Sequence, residues 1–144
     1  MSIIGMKHLL DTPVLSEFLK KQPDERVTSW VEAQVEESLF LSVITMGEIE
    51  KGIWLLPASK RRSKLETWLE ETIYRFEERT LGLEVKALRR WGRLTAELEG
   101  RGRVLPLMDS LIAATALTHN LTIITRNEAD FADTGCQVFN PWLV

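Results

Sequence analysis

Short apolar runs alternate with segments of helical periodicity along this 144-residue chain, and this alternation constrains the fold more than any other feature. The run at residues 39–43 is apolar except for Ser42, as is typical of a strand buried on both faces of a sheet. Strands that alternate with helices favour a parallel sheet covered by helices on both faces. The sequence therefore predicts an α/β fold of three layers, α/β/α, with a central parallel sheet of four or five strands.

The order of the elements follows from the apolar runs and from the residues that begin or end helices. Pro57 ends the third helix near residue 55, and Gly100 and Gly102 end the fifth near residue 98. No repeat or linker divides the chain, so residues 1–144 are predicted to form a single domain. Strands are predicted at residues 7–10, 39–43, 79–81, 121–125 and 136–139. Helices are predicted to begin after residues 11–13 and at residues 23–24, 45, 59, 84 and 106, with a helical turn at residues 128–131.

Apolar residues three or four positions apart predict which face of each helix is buried. The second and fourth helices have the clearest patterns of this kind. The predicted buried residues are Val27, Trp30, Val31 and Val35 in the second helix, and Leu65, Trp68, Leu69 and Ile73 in the fourth. We expect the tryptophans on such faces, Trp91 included, to pack in the core or in an interface rather than to stack on bases.

The charge of the chain gives a mixed indication about nucleic acid. With 18 Lys and Arg against 21 Asp and Glu the formal net charge is −3, which argues against a nucleic-acid partner, since phosphate contacts need cations. Basic residues nevertheless gather at residues 60–64, 89–93 and 101–103. Such clusters are commonly solvated helix faces, but a basic rim beside an acidic pocket is also compatible with a slightly acidic protein.

The cysteine count and the hydropathy pattern predict a cytoplasmic protein that does not enter a membrane. Cys136 is the only cysteine, which excludes an internal disulfide and fits a reducing compartment. No apolar run approaches the roughly 20 residues that span a bilayer. Residues 1–6 are too short for a signal peptide and have no cleavage pattern.

Four acidic residues follow predicted strands or begin predicted helices, although they are far apart in sequence. They are Asp11, Glu48, Asp109 and Asp130. In an open α/β sheet ligands bind outside the carboxyl ends of the strands, so acids at these positions can converge. Converging carboxylates repel one another and favour a hard divalent cation. The pattern therefore indicates a metal-dependent phosphodiesterase.

Each acid also has a purely structural interpretation. Asp11 and Thr12 are common helix caps, and Thr45 with Glu48 fits a capping box. Asp109 stands near a helix start, where the helix dipole stabilises an acid. The functional interpretation is sharpest for Asp109, because its neighbours are apolar enough for a buried helix and a lone buried carboxylate is costly.

The segment after the fourth predicted strand carries further candidates. Asn127 or Asp130 could reach a metal or one of its waters, and the alternative for both is a cap or an exposed polar group. The Thr125 hydroxyl could donate to a carboxylate or to a phosphate, or Thr125 could simply be a strand residue. Neither His8 nor His119 fits a general base, and we predict structural roles for both.

Several of these segments resemble the ordered motifs of PIN-domain ribonucleases. The similarity is greatest to the VapC/FitB-like toxins of bacterial toxin–antitoxin pairs, and it covers nearly the whole chain. The segments are Leu9-Leu10-Asp11-Thr12, residues 41–49, residues 108–116 and residues 125–131, and the closing Asn140-Pro141-Trp142 is also similar to that group.

The resemblance implies a PIN-like fold and assigns roles to the acids. Asp11, Glu48 and Asp109 would be the core metal-binding acids, and Asp130 the fourth, with Asn127 beside it. It implies Mg²⁺ or Mn²⁺ as cofactor, cleavage of structured RNA such as tRNA or rRNA, and a homodimer. It also implies an antitoxin protein that silences the enzyme through a segment inserted near the acidic pocket.

Other residues are expected to support these acids or to bind the substrate. Thr12 and Thr125 are the predicted supporting hydroxyls. The RNA backbone is expected to be held by charge, and the residues predicted for this are Arg126, Arg89, Arg90 and Arg93.

Two departures from the family pattern leave alternatives open. Pro13 stands where Asn is usual, and Asn127 where many relatives have Asp. Because the residues around a metal site can change affinity or activity 10–100-fold, Pro13 motivates a second hypothesis, a PIN-like module that binds RNA or protein with weakened or absent cleavage. A third hypothesis is a receiver-like phospho-acceptor, although no lysine is obviously placed to support it.

Overall fold

The computed structural model describes residues 6–144. Residues 1–5 belong to the predicted domain and to the segment considered above for a signal peptide, and they lie outside this range. Five strands form one parallel sheet in the order β3-β2-β1-β4-β5. The strands are β1 (His8–Leu10), β2 (Leu39–Ser42), β3 (Thr80–Leu81), β4 (Thr122–Ile124) and β5 (Val138–Phe139).

All five predicted strands are present, each one or two residues shorter than expected. Some flanking residues still take part in the hydrogen bonding of the sheet. The Thr122 amide donates to the Lys7 carbonyl at 3.0 Å, and the Thr125 amide donates to the Phe139 carbonyl at 3.1 Å. Lys7 and Thr125, two of the predicted strand ends, therefore hydrogen-bond to neighbouring strands although they lie just outside β1 and β4.

Six α-helices of six or more residues connect the strands in the described part of the chain. Among them, none is both long enough and apolar enough to cross a bilayer. The predicted helical turn near residue 130 is a 3₁₀ turn, Glu128–Phe131. The helices are α1 (Thr12–Glu17), α2 (Glu25–Glu32), α3 (Val43–Trp54), α4 (Lys60–Arg75), α5 (Val85–Gly100) and α6 (Leu107–His119).

Three helix predictions need correction. Helix α3 begins at Val43 and not at residue 45, because the Ser42 side chain accepts a hydrogen bond from the Ile44 amide at 3.0 Å and caps the helix there. Val35 lies beyond the end of α2 and is 68% exposed. Ile73 lies in α4 but is 46% exposed, because the buried face of that helix runs through Leu69 and Thr72 instead.

Two hydrophobic cores lie on opposite faces of the sheet. Adjacent strand residues point to opposite faces. Leu10 and Ile124 therefore pack in the core that contains side chains of α1 to α4, and Leu9 and Ile123 pack in the core that contains side chains of α5 and α6. The predicted three-layer α/β/α architecture is confirmed.

The strand order determines where ligands can bind. β1 lies between β2 and β4, so the carboxyl ends of these three parallel strands meet at one edge. Asp11 follows β1, α3 follows β2 and the 3₁₀ turn follows β4. This order also differs from the 2-1-3-4-5 order of flavodoxin-like sheets, so the receiver-like hypothesis is wrong.

Candidate active site

Asp11 lies at the carboxyl end of β1 and is 3% exposed. Its amide donates to the Ile124 carbonyl at 3.0 Å, which ties it to β4. One carboxylate oxygen accepts from the Thr12 amide at 2.9 Å, and the other accepts from the Thr125 hydroxyl at 2.8 Å. The Asn127 amide in turn donates to the Thr125 oxygen at 3.0 Å. Asp11 is therefore the cap of α1 and also a buried, fixed carboxylate at the edge where ligands bind.

Glu48 lies in the second turn of α3 and does not take part in a capping box. Since Ser42 caps the helix, Thr45 is inside it, and Glu48 is too far along α3 to return to the cap. The Glu48 carboxylate instead accepts from the Thr12 hydroxyl at 2.6 Å, and this hydroxyl also lies 3.2 Å from the Thr45 hydroxyl. Thr12 thereby connects the acid of α3 to the start of α1.

Asp109 is the third residue of α6 and is half-buried. Its two predecessors, Leu107 and Met108, are 58% and 45% exposed, so the first turn of the helix faces solvent. The rest of the apolar string, residues 110–116, is buried. The expectation of a fully buried helix around Asp109 was wrong for its first turn, because apolar composition alone does not show where a helix leaves the core.

Asp130 is exposed and lies in the 3₁₀ turn after β4. Arg103, from the connection between α5 and α6, holds this turn. Its guanidinium donates to the Asp133 carboxylate at 2.7 Å and to the Ala129 and Asp130 carbonyls at 2.8 and 3.2 Å. We infer that Arg103 positions Asp130. Sequence reasoning missed this role, and the only signal was the basic cluster at residues 101–103.

Asn127 contributes its backbone rather than its side chain. It stands at the start of the 3₁₀ turn, its side chain does not cap that turn, and it is exposed. Its amide donates to the Thr125 hydroxyl oxygen, which itself contacts Asp11. The position therefore supports the Asp11 carboxylate whatever the side chain at residue 127 does.

The acids influence one another electrostatically. The pKa of Asp11 is raised from an ordinary 3.8 to about 6 in total. Burial raises it most, two hydrogen bonds to its carboxylate lower it in part, and the charges of Asp109 and Glu48 also raise it. The pKa of Asp109 is also raised, first by burial and then by the charges of Asp130 and Glu48. All four predicted acids therefore share one electrostatic environment.

The donor chemistry fits a hard divalent cation, although the side chains are not arranged as a closed metal site. Within residues 6–144, no three His, Cys, Asp or Glu side chains converge closely enough to share an ion as they stand. The acids at this edge offer carboxylate oxygens, which Mg²⁺ and Mn²⁺ prefer to nitrogen or sulfur. A cation would also relieve the carboxylate repulsion, which adds to burial in raising the two pKa values. Coordination by three acids therefore requires side chains at this edge to turn toward one another.

The predicted RNA-binding arginines occupy two separate places. The Arg126 guanidinium lies 4.9 Å from the centre of the Trp142 ring, in a groove that Asp24 also lines. The other three line a different groove, between α5 and α6. They are Arg89, Arg90 and Arg93.

The closing Asn140-Pro141-Trp142 segment has a structural role that the sequence did not reveal. The Asn140 side chain accepts from the Trp142 amide at 2.9 Å and caps a final 3₁₀ turn. The indole is 6% exposed, and its N–H donates to the buried Glu17 carboxylate at 3.3 Å. The segment thereby attaches the C-terminus to the end of α1 and places an aromatic ring under Arg126.

Comparison with known proteins agrees with this architecture. The PIN-domain family model matches residues 8–135. The chain is 38% identical to the VapC ribonuclease Y4jK of Sinorhizobium fredii, over 93% of this chain and 96% of that protein. It is 36% identical to the toxin FitB of Neisseria gonorrhoeae, over 93% of this chain and 97% of that protein.

A solved structure gives the same result. The crystal structure of FitAcB from Neisseria gonorrhoeae superimposes with a TM-score of 0.90 at 35% identity, covering 95% of this chain and 99% of that one. The match therefore extends over the sheet, its order and both helical layers. The chain belongs to the PIN-domain family, in the group that contains the VapC and FitB toxins.

Proposed function

We propose that this protein is the toxin of a toxin–antitoxin pair and that it is a metal-dependent endoribonuclease. The observation that carries the proposal is the buried Asp11 carboxylate, fixed by two hydrogen bonds and coupled by charge to Glu48 and Asp109. PIN-domain nucleases generally use divalent metal ions. The relation to a protein named as a VapC ribonuclease supports RNA as substrate.

We further propose the partners and the substrate in finer detail. An antitoxin protein as partner is supported by the similarity to the FitB toxin and to the FitAcB structure. Structured RNA such as tRNA or rRNA is the proposed substrate, Mg²⁺ or Mn²⁺ the proposed cofactor, and a homodimer in the cytoplasm the proposed form. These details extend the resemblance in the motifs.

In the proposed mechanism, the four acids hold the cation and their neighbours hold the acids. Asp11 would be the fixed ligand, because its carboxylate is already oriented by Thr125 and by the start of α1. Glu48, Asp109 and Asp130 would complete the site from α3, α6 and the 3₁₀ turn. The bound cation would lower the pKa of a water molecule and offset charge on the phosphate during in-line attack.

Removal of the metal is the direct test of this proposal. We expect the free toxin to cleave tRNA or rRNA in Mg²⁺ or Mn²⁺, to lose cleavage in a chelator, and to regain it when the metal is restored. The readout is gel analysis of end-labelled RNA, beside calorimetric titration of Mn²⁺ into the metal-free protein. Cleavage at the same rate in chelator, from a preparation free of contaminating nuclease, contradicts metal dependence.

Pro13 favours a second candidate function, a PIN-like module that binds RNA or protein without efficient cleavage. Pro13 is the second residue of α1, where its missing N–H has no helical partner to lose. The fold therefore tolerates it, but the Asn that the family pattern has two residues after Asp11 is absent. We expect Pro13→Asn to raise the cleavage rate about 10- to 100-fold.

The control for Pro13→Asn is the same substitution at a proline that lies away from the acids. Pro57→Asn, at the exposed loop after α3, provides it and should leave the rate unchanged. If Pro13→Asn leaves a measurable rate unchanged, Pro13 has no effect on catalysis. Absence of cleavage in both the native protein and Pro13→Asn, with metal present and RNA binding retained, favours the binding module.

A further inference from the structure

Four cations form a stripe along one face of α5. Lys86, Arg89, Arg90 and Arg93 are spaced i, i+3, i+4 and i+7, which places them on one side of a helix. All four are exposed, and together they line a groove of about 520 Å³ between α5 and α6. The groove is completed by Val85, Leu117 and Thr118.

Ion pairs do not neutralise these cations in the described part of the chain. None of the four takes part in an ion pair among residues 6–144. Like charges three or four residues apart destabilise a helix by a few tenths of a kcal/mol per pair. A protein whose net charge is −3 therefore concentrates positive charge here, where an anion from outside the chain would neutralise it.

The α6 lining of the groove, Leu117 and Thr118, lies away from the acids along that helix. Leu117 follows Asp109 by eight residues, which is about 12 Å along a helix axis. Helices α5 and α6 pack side by side on one face of the sheet. A ligand that reaches both the Leu117 end of the groove and the acids must therefore be longer than a single nucleotide.

We propose that this α5–α6 basic groove holds the phosphate backbone of the RNA substrate at a distance from the bond that is cut. The inference rests on the proposed nuclease function. Arginine guanidinium groups match phosphate geometry and bind it with paired hydrogen bonds. The groove has no aromatic side chain in its lining, whereas the cores of protein interfaces are enriched in aromatics and depleted in lysine. RNA is therefore favoured over an acidic protein segment.

The test is a binding measurement with the double variant Arg89→Gln/Arg93→Gln. Its matched control is Lys60→Gln/Lys64→Gln on α4, which removes the same charge at the same i, i+4 spacing from exposed positions. Both pairs are made in an Asp109→Asn background with chelator present, so that RNA is not cut. Binding of a labelled RNA stem-loop is then followed by fluorescence anisotropy at several salt concentrations.

We expect the groove variant to bind the stem-loop at least about tenfold more weakly than the control pair. The slope of log affinity against log salt should fall by about 1.5, since each lost phosphate contact removes roughly 0.7–0.9. Poly-L-glutamate serves as an acidic polypeptide. If the groove variant loses less affinity for poly-L-glutamate than for RNA, relative to the control pair, the proposal is supported. An equal or larger loss for the polypeptide overturns it, as does RNA binding that matches the control.

A separate measurement distinguishes failure of the groove from failure of the nuclease. With Asp109 restored and metal added, Arg89→Gln/Arg93→Gln should cut a dinucleotide, which lacks the distant backbone that the groove would hold, at the native rate. Cleavage of the long RNA should require a higher substrate concentration. Equal melting temperatures for the two double variants would show that neither change acts through unfolding.

Discussion

We expect Asp11→Asn to abolish RNA cleavage while making the metal-free protein more stable at neutral pH. The Asp11 carboxylate accepts two hydrogen bonds, more than Glu48 does, and an amide cannot replace a carboxylate in neutralising a divalent cation. A bound cation stabilises the charge of the transition state by several kcal/mol, so its loss corresponds to a rate decrease of roughly a thousandfold or more. The acid thus contributes to activity at the expense of stability.

The gain in stability follows from the raised pKa of Asp11. Its folded value of about 6 exceeds the ordinary 3.8, first because burial disfavours the charged form. Between these two pH values the folded protein binds the proton more tightly than the unfolded chain does. Stability therefore falls as pH rises through this window, and a penalty of roughly 3 kcal/mol remains at neutral pH.

Asparagine at residue 11 removes this charge and keeps most of the hydrogen bonding. Its carbonyl can accept from the Thr12 amide, and its NH₂ can donate to the Thr125 hydroxyl oxygen. We expect the free energy of unfolding of Asp11→Asn to lose the decline that the native protein shows between about pH 4 and pH 6. Urea denaturation in chelator at several pH values measures this.

Glu50→Gln is the control for Asp11→Asn, because it removes an exposed carboxylate from α3. It should change neither the cleavage rate nor the pH dependence of stability. Native cleavage by Asp11→Asn would remove Asp11 from the catalytic site. A variant less stable than the native protein at pH 7 would show that the Asp11 charge is well accommodated when the protein is folded.

Glu17→Ala is expected to destabilise the fold strongly. The Glu17 side chain is 3% exposed, and its carboxylate accepts from the Asp24 amide at 3.0 Å, the Lys20 ammonium at 3.1 Å and the Trp142 indole at 3.3 Å. Alanine leaves the amide and the indole N–H without their acceptor. Buried donors that lose a charged partner cost about 3 kcal/mol in total, or roughly 6–12 °C in melting temperature for a chain of this size.

The pH dependence of Glu17 has the opposite sign to that of Asp11. Burial raises the pKa of Glu17, but the Asp24 amide, Lys20 and the Trp142 indole outweigh burial, so the pKa is lowered overall. Its contribution to stability is therefore full above the ordinary glutamate pKa and is lost as pH falls through the lowered value. The native protein should accordingly show this loss in acid, and Glu17→Ala should not.

Lys20→Ala separates the buried contacts of Glu17 from its surface ion pair. The Lys20 side chain is 52% exposed, and pairs of this kind contribute about 0–1 kcal/mol. Calorimetric melting of the two variants beside the native protein gives the comparison. Equal shifts for Glu17→Ala and Lys20→Ala would mean that the link to Trp142 adds no stability.

The errors in the sequence predictions have two sources, a local competition for one helix cap and contacts with residues that are distant in sequence. Thr45 and Glu48 match the capping-box pattern, but the Ser42 side chain accepts a hydrogen bond from the Ile44 amide. Helix α3 therefore begins two residues earlier than predicted. Glu48 then became available to Thr12, which is 36 residues away in sequence. Arg103 and Glu17 were not identified because their partners lie in distant segments.

The sequence by itself determined the elements, the parallel sheet and the positions of the acids after strands or near helix starts, because hydrophobic periodicity and local capping chemistry act over a few residues. Only the tertiary structure decided that Asp11 is buried against Thr125 and that α6 exposes its first turn beside Asp109. It also separated Arg126 from the α5–α6 basic groove. Burial, pKa and charge coupling depend on residues that the strand order brings together, and local sequence patterns do not contain that information.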